Sequence, residues 1–149
     1  MKVIWQDRHH SQLSAAQLYQ LLALRNAVFI VEQNCPYQDI DGADLAGENR
    51  HLLGMSGDRL MACARLLAPA EASKPVKIGR VIVASEARGL RLGNQLMEQA
   101  LACCAAHWLQ HKVRLSAQAH LEQFYGSFGF KTVSDVYLED NIPHIDMEK

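Results

Sequence analysis

The chain has 149 residues, 49% of them hydrophobic and 21% charged, with 15 Lys+Arg against 16 Asp+Glu. That length suits one domain and that composition excludes a disordered or fibrous chain; a formal charge of −1 gives no global reason to bind nucleic acid or an anionic membrane. No apolar run approaches the ~20 residues that span a bilayer, and the polar stretch Gln6-Asp7-Arg8-His9-His10 behind Met1-Lys2 has no secretory pattern, so a cytoplasmic protein is expected.

No repeat, low-complexity tract or Gly/Ser/Pro linker divides residues 1–149, which read as a single domain. Val3-Ile4-Trp5 is a short first strand. Ser14-Ala15-Ala16-Gln17 has the form of a capping box, and Leu18, Leu21, Leu22, Arg25, Val28 and Phe29 follow at helical spacing, predicting a helix from Ala15 to Val31. Asn34 to Asn49, with Pro36, Gly42, Gly47 and several aspartates, reads as a loop holding one short helical turn. His51 to Met55 and Arg59 to Leu67 form an antiparallel hairpin around Ser56-Gly57-Asp58, and the β-branched Val76 to Val83 extends the meander.

Then the period changes. Leu92, Leu96, Ala100, Cys104 and Trp108 form one helical stripe. Lys112 to Gln118 alternates as a strand, and Leu121, Phe124 and Phe128 mark a short helix that Gly129 ends. Lys131 to Tyr137 and His144 to Met147 close the fold as two antiparallel strands around Glu139-Asp140-Asn141. The expected class is α+β: a mixed, mostly antiparallel central sheet flanked by helices on both faces.

Cys35, Cys63, Cys103 and Cys104 form no CxxC pair and have no metal-type spacing with histidine. They read as structural thiols, and no metal is expected. The stretch from Val81 to Met97 is more informative. A buried strand passes through Arg88, Gly89 and Gly93 into an amphipathic helix, whose first N–H groups and positive dipole end suit phosphate oxygens. No Gly-Lys-Ser/Thr follows, so it is not a Walker loop, and the G-x-G-x-x-G dinucleotide spacing is missing. A strand–turn–helix junction with glycines for geometry alone is the alternative.

Arg88-Gly89-Leu90-Arg91-Leu92-Gly93 resembles the Arg/Gln-x-x-Gly-x-Gly/Ala acyl-CoA signature of the GNAT superfamily of N-acetyltransferases, and Phe124-Tyr125-Gly126-Ser127-Phe128-Gly129-Phe130 resembles its Phe-Tyr-x-x-x-Gly-Phe run. Trp5-Gln6-Asp7, the segment Val31 to Gly42, and Ile142-Pro143-His144-Ile145 are similar to the ElaA-type subgroup, so the likeness covers nearly the whole chain. The family usually has Gly where this chain has Arg91; a helical φ there keeps the N–H cradle, and the guanidinium is available to a CoA phosphate.

The resemblance implies acetyl-CoA as co-substrate. Its pantetheine arm would pair with the backbone of Val81, Ile82 and Val83, its pyrophosphate would sit on Arg88, Gly89, Leu90, Arg91, Leu92, Gly93 and Asn94, and Gln118 would contact the arm. An amine would attack the thioester directly in a ternary complex, with an N–H near Val81 stabilising the oxyanion and Tyr125 protonating the departing thiolate. The base is open among Glu32, Asp39, Asp41, His51, His120, His144 and water. Asp39, Asp41, Asp44 and Glu48, in the loop expected to line the acceptor side, point either to a cationic small-molecule or peptide amine or to a solvated acidic loop. Residues Arg25 to Glu32 also resemble acyl-homoserine lactone synthases, which share the fold. A non-catalytic acyl-CoA sensor is the alternative function, and the oligomeric state, a homodimer included, is open.

Overall fold

A computed structural model describes all residues from Met1 to Lys149. Eight strands form one sheet: β1 (Ile4–His9), β2 (Arg50–Ser56), β3 (Arg59–Leu67), β4 (Val76–Val83), β5 (Val113–Gln118), β6 (Lys131–Thr132), β7 (Tyr137–Glu139) and β8 (Ile142–Glu148). Along the sheet the order is β1-β2-β3-β4-β5-β8-β6, with β7 also on β8. Every pairing is antiparallel except β4 with β5. The helices are α1 (Ala15–Arg25), α2 (Leu92–His107) and α3 (Glu122–Gly126).

Alternation along the strands builds two cores. Leu52, Ala62, Ala64, Leu66, Val76, Ile78, Leu115 and Ile145 pack with Leu96, Met97 and Ala100 of α2. On the other face Leu53, Cys63 and Ile82 meet Leu21 and Val28 from the first helical segment. The capping box forms as expected: Ser14 Oγ accepts from the Gln17 N–H at 3.1 Å, and Gln17 Oε1 accepts from the Ser14 N–H at 3.1 Å.

Four local expectations are corrected. The first strand runs on to His9, because all its residues from Ile4 find partners on β2. The first helix is α-helical only to Arg25 and continues as a π-helical segment, Asn26–Glu32. The loop after it contains only isolated turns, with no helical turn. Finally, Lys131 to Tyr137 is not one strand: Ser134 bulges out, its Oγ accepting from the Asp146 N–H at 2.9 Å, and splits the segment into β6 and β7.

Candidate active site

The parallel pairing of β4 and β5 stops at Ile78 opposite Leu115. Beyond it β4 remains paired with β3 through Ile82 and Val83, while β5 remains paired with β8 to Gln118 opposite His144. The β4 edge from Gly79 to Val83 therefore faces a gap in the sheet; alternate residues direct their backbone groups toward it, and the Val83 carbonyl accepts from Arg88 Nε at 3.2 Å. Val81, Ile82 and Val83 all lie on this edge, and Gln118 lies at the far end of β5 across it.

At the end of β4 the chain makes a short 3₁₀ turn, Ser85–Ala87, then Gly89 at φ +83°, and enters α2. Arg91 is the residue before α2, at φ +59° and ψ +23°. The helical φ expected for Arg91 is corrected: the turn takes a left-handed residue here, a conformation that glycine adopts more freely than arginine. No side chain caps α2, so the N–H groups of Leu92, Gly93 and Asn94 are open to a ligand. Gly93 is informative in another way. Its φ is ordinary, and a Cβ there would meet only Phe124 at 3.7 Å, so nothing in the chain's own packing demands a glycine. Gly79, at the mouth of the gap, is the same: no atom lies within 4 Å of the Cβ it lacks. Glycine weakens both helix and strand interiors. Its presence at both places fits close approach by a bound molecule.

Arg88 is exposed, donating from Nε to the Val83 carbonyl at 3.2 Å and from Nη1 to Glu32 Oε2 at 2.7 Å. Leu90 is half exposed. Tyr125, on α3, is only 7% exposed and packs edge-on to Phe124 and Phe130. It lies off the Leu121/Phe124/Phe128 stripe, yet it is more buried than Phe124 or Phe128. Burial alone pushes its phenol up to about 12. The side-chain atoms sealed from solvent without a well-formed hydrogen bond are His9 Nε2 and Arg65 Nε; the Tyr125 hydroxyl is not among them and keeps a path to solvent.

The aspartates of the acidic loop are paired with arginines. Asp39 and Asp44 are buried against Arg25, with Nε 2.9 Å from Asp39 and Nη1 2.6 Å from Asp44. Arg65 grips Asp41 through two 2.9 Å bonds and reaches Asp44 at 3.1 Å, and Arg80 binds Asp39 at 2.8 Å. Three aspartates thus meet three arginines. Arg65 holds the Asp41 carboxyl well below the usual range. Burial works against the Asp44 carboxylate, but Arg25 and Arg65 outweigh it and depress its pKa too. Of the four carboxylates, Asp41 and Glu48 are exposed, and Glu48 lies 3.3 Å from His9 Nε2.

The base candidates separate accordingly. Asp39 and Asp41 are held in this network, and Glu32 is paired with Arg88. His51 is 1% exposed and donates from Nε2 to the Asp44 carbonyl at 2.9 Å, with burial lowering its pKa. His120 is exposed beyond β5. His144 is opposite Gln118 on β8, one strand beyond the gap; Nδ1 donates to the Ile142 carbonyl at 2.7 Å, which leaves Nε2 as the acceptor nitrogen in the neutral ring, and Nε2 lies 3.5 Å from Glu139 Oε2. Cys63, Cys103 and Cys104 are buried, each thiol pushed up to about 12 chiefly by desolvation, and Cys35 is half-buried near the Asp140 carbonyl at 3.5 Å. No His, Cys, Asp or Glu cluster has the form of a metal site, and no helix is long and apolar enough to cross a membrane.

Sequence reasoning missed Arg25, Arg65, Gly79 and Arg80. The signal for the last two was present: Val76 and Ile78 alternate, but Val81 and Val83 resume in the opposite phase, which requires an extra residue between them.

A mixed sheet that opens between its two parallel strands, with an uncapped helix start at the end of one of them, is the architecture of the GNAT acyl-CoA-dependent acyltransferases. The chain belongs to that family: the family model described as Acetyltransferase (GNAT) domain matches residues 10–149. Protein ElaA of Escherichia coli (strain K12) is 59% identical over 145 residues, which cover 97% of this chain and 95% of ElaA. The crystal structure of Escherichia coli ElaA superimposes with a TM-score of 0.95 over 99% of each chain, at 56% identity. An acyl-CoA N-acyltransferase from Pseudomonas aeruginosa also gives 0.95, at 50% identity over 99% of each chain. The CoA-dependent acyl-homoserine lactone synthase BjaI, solved with SAM and isopentyl-CoA, shares the fold alone, at TM-score 0.80 and 17% identity over 99% of this chain and 83% of its own.

Proposed function

We propose that this chain moves an acetyl group from acetyl-CoA to an amine by direct attack in one ternary complex. The observation that carries the reading is the parting of β4 from β5 after Ile78 and Leu115, in line with the open N-terminus of α2. Along the β4 edge, Val81 and Val83 offer backbone groups to an extended pantetheine arm, while Ile82 between them pairs with Cys63 of β3. Gly89, Arg91, Leu92, Gly93 and Asn94 offer a phosphate cradle, with Arg88 and Leu90 at its rim and Gln118 across the gap.

The chemistry divides across the sheet. Tyr125 belongs to the core under α2, whereas His144 alternates with Ile145 toward the other face. His144 Nε2 takes the proton lost by the amine as the new C–N bond forms. An N–H near Val81 holds the oxyanion, and Tyr125 donates to the sulfur as the C–S bond breaks. A phenol near 12 keeps its proton at neutral pH, and so stands ready as donor throughout. With the aspartates of the acidic loop paired to arginines, the acceptor class proposed is an amine without a required extra charge.

The test supplies acetyl-CoA and a broad amine library, reading free thiol. Acceptor-dependent thiol release without an acetylated cysteine supports direct transfer. Acetyl-CoA binding with no release on any amine would replace it with the regulatory acyl-CoA-binding module, and absence of binding would overturn both.

A further inference from the structure

Arg80 is in the middle of β4 yet has φ +51°. Cys63 pairs with Ile82 and Arg65 with Gly79, so Ala64 faces both Arg80 and Val81. This is a bulge with a left-handed first residue, a position that ordinarily takes glycine because a Cβ is crowded there. The bulge is also the point where the phase of the strand reverses and β4 leaves β5, one residue beyond Gly79.

The Arg80 side chain accounts for the exception. Its Nε donates to Asp39 Oδ1 at 2.8 Å, and its Nη2 donates to the Asp39 carbonyl at 3.0 Å and to Asp41 Oδ2 at 3.3 Å. Its guanidinium lies 5.7 Å from the centre of the Tyr37 ring. These anchors are themselves fixed. Asp39 is held by the buried Arg25 and by the Tyr37 hydroxyl at 2.7 Å, and Asp41 is held by Arg65. A rigid ionic frame therefore grips a strained residue at the mouth of the gap, which is where strain has a use.

We propose that Arg80 is a positioning residue: its ion pairs with Asp39 and Asp41 hold the left-handed bulge that keeps β4 parted from β5 and aims the Val81 N–H at the acyl carbonyl. The proposal rests on the acyltransferase reading above. On it, the Arg25–Asp39–Arg80 chain serves to orient a backbone donor, and its arginine does not bind the acceptor.

The experiment compares Arg80→Gly, Arg80→Ala, Arg80→Lys and wild type. The readout is the carbonyl stretch of bound ¹³C-acetyl-CoA, which falls when an N–H donates to the carbonyl, and needs no acceptor. Wild type shows the lowered frequency. Arg80→Ala and Arg80→Lys, which keep the Cβ strain without the two-pronged hold, lose most of it, whereas Arg80→Gly restores it because glycine adopts this φ freely. Should Arg80→Ala not fold, Arg80→Lys carries the same comparison. Equal shifts in Gly and Ala variants, or a wild-type shift in Arg80→Lys, overturn the proposal. Wild type that binds no acetyl-CoA overturns the acyltransferase reading instead, so the two failures are distinct.

Discussion

Arg88 Nη1 donates to Glu32 Oε2 at 2.7 Å, joining the last residue of the π-helical segment to the turn before α2. The pair is roughly half exposed, and Glu32 competes for a guanidinium that the proposed phosphate site would use. Removing its charge should favour ligand by the worth of an exposed ion pair. Glu32→Gln is expected to tighten acetyl-CoA binding by roughly two- to fivefold in calorimetry at low salt, and the gain should vanish near 1 M salt, where screening is short-ranged. Weaker binding would mean that Glu32 orients Arg88 for the phosphate.

Gly93 separates stability from binding. A methyl group fits against Phe124, and alanine is the better helix former. Gly93→Ala is expected to stabilise the free protein by about 0.5–1 kcal/mol in urea unfolding. The same methyl should raise the acetyl-CoA Kd at least tenfold if phosphate oxygens approach the backbone here. Unchanged affinity would move the cradle elsewhere.

Tyr125→Phe removes the hydroxyl and leaves the ring against Phe124 and Phe130. Turnover with an identified acceptor should fall by roughly 10²-fold with acetyl-CoA affinity nearly constant, since the proton acts on the departing sulfur and barely on the ground state. Because burial pushes the phenol up to about 12, the wild-type rate should show no alkaline loss centred near 10. A limb at 10, or full activity of the variant, returns this tyrosine to a packing role.

Acid should weaken the fold in two stages. His51 has a folded pKa depressed by burial, so the unfolded chain takes up its proton first. Its contribution is complete above about 6.5 and is lost as pH falls below that value. Asp41 and Asp44 are depressed by their arginines, and their contributions are present above about 3.9 and lost as pH falls further. Urea midpoints across pH 3–8 check this, and His51→Gln should flatten the upper stage alone. A single transition below pH 4 would remove His51 from the account.

The regular elements were legible because their signals are local. Arg59–Leu67 alternates without Gly or Pro, Val76 and Ile78 alternate up to Gly79, and Ser14 with Gln17 marks a helix start within one turn. The segment around Arg88 was legible for the same reason. What stayed hidden depends on partners distant in sequence. Arg25 finds Asp39 and Asp44 only after the loop folds back under the sheet, and Lys131 to Tyr137 is broken by a serine that binds a strand residue beyond the next turn. The burial of Tyr125 stayed hidden for a third reason: α3 is one short turn, and helical spacing over so few residues does not define a buried face.

Strands β1 to β4 and β5 to β8 are two leaves sewn together along Val76–Ile78 and Val113–Leu115 and otherwise joined by side-chain packing beneath α2. Under load the molecule has a built-in seam. Pulled between Trp5 and Ile145 in a force-extension trace, the leaves should part there first, before either meander ravels. A pantetheine arm laid along the gap would behave as a rivet, raising the rupture force of that first event while leaving the later ones unchanged.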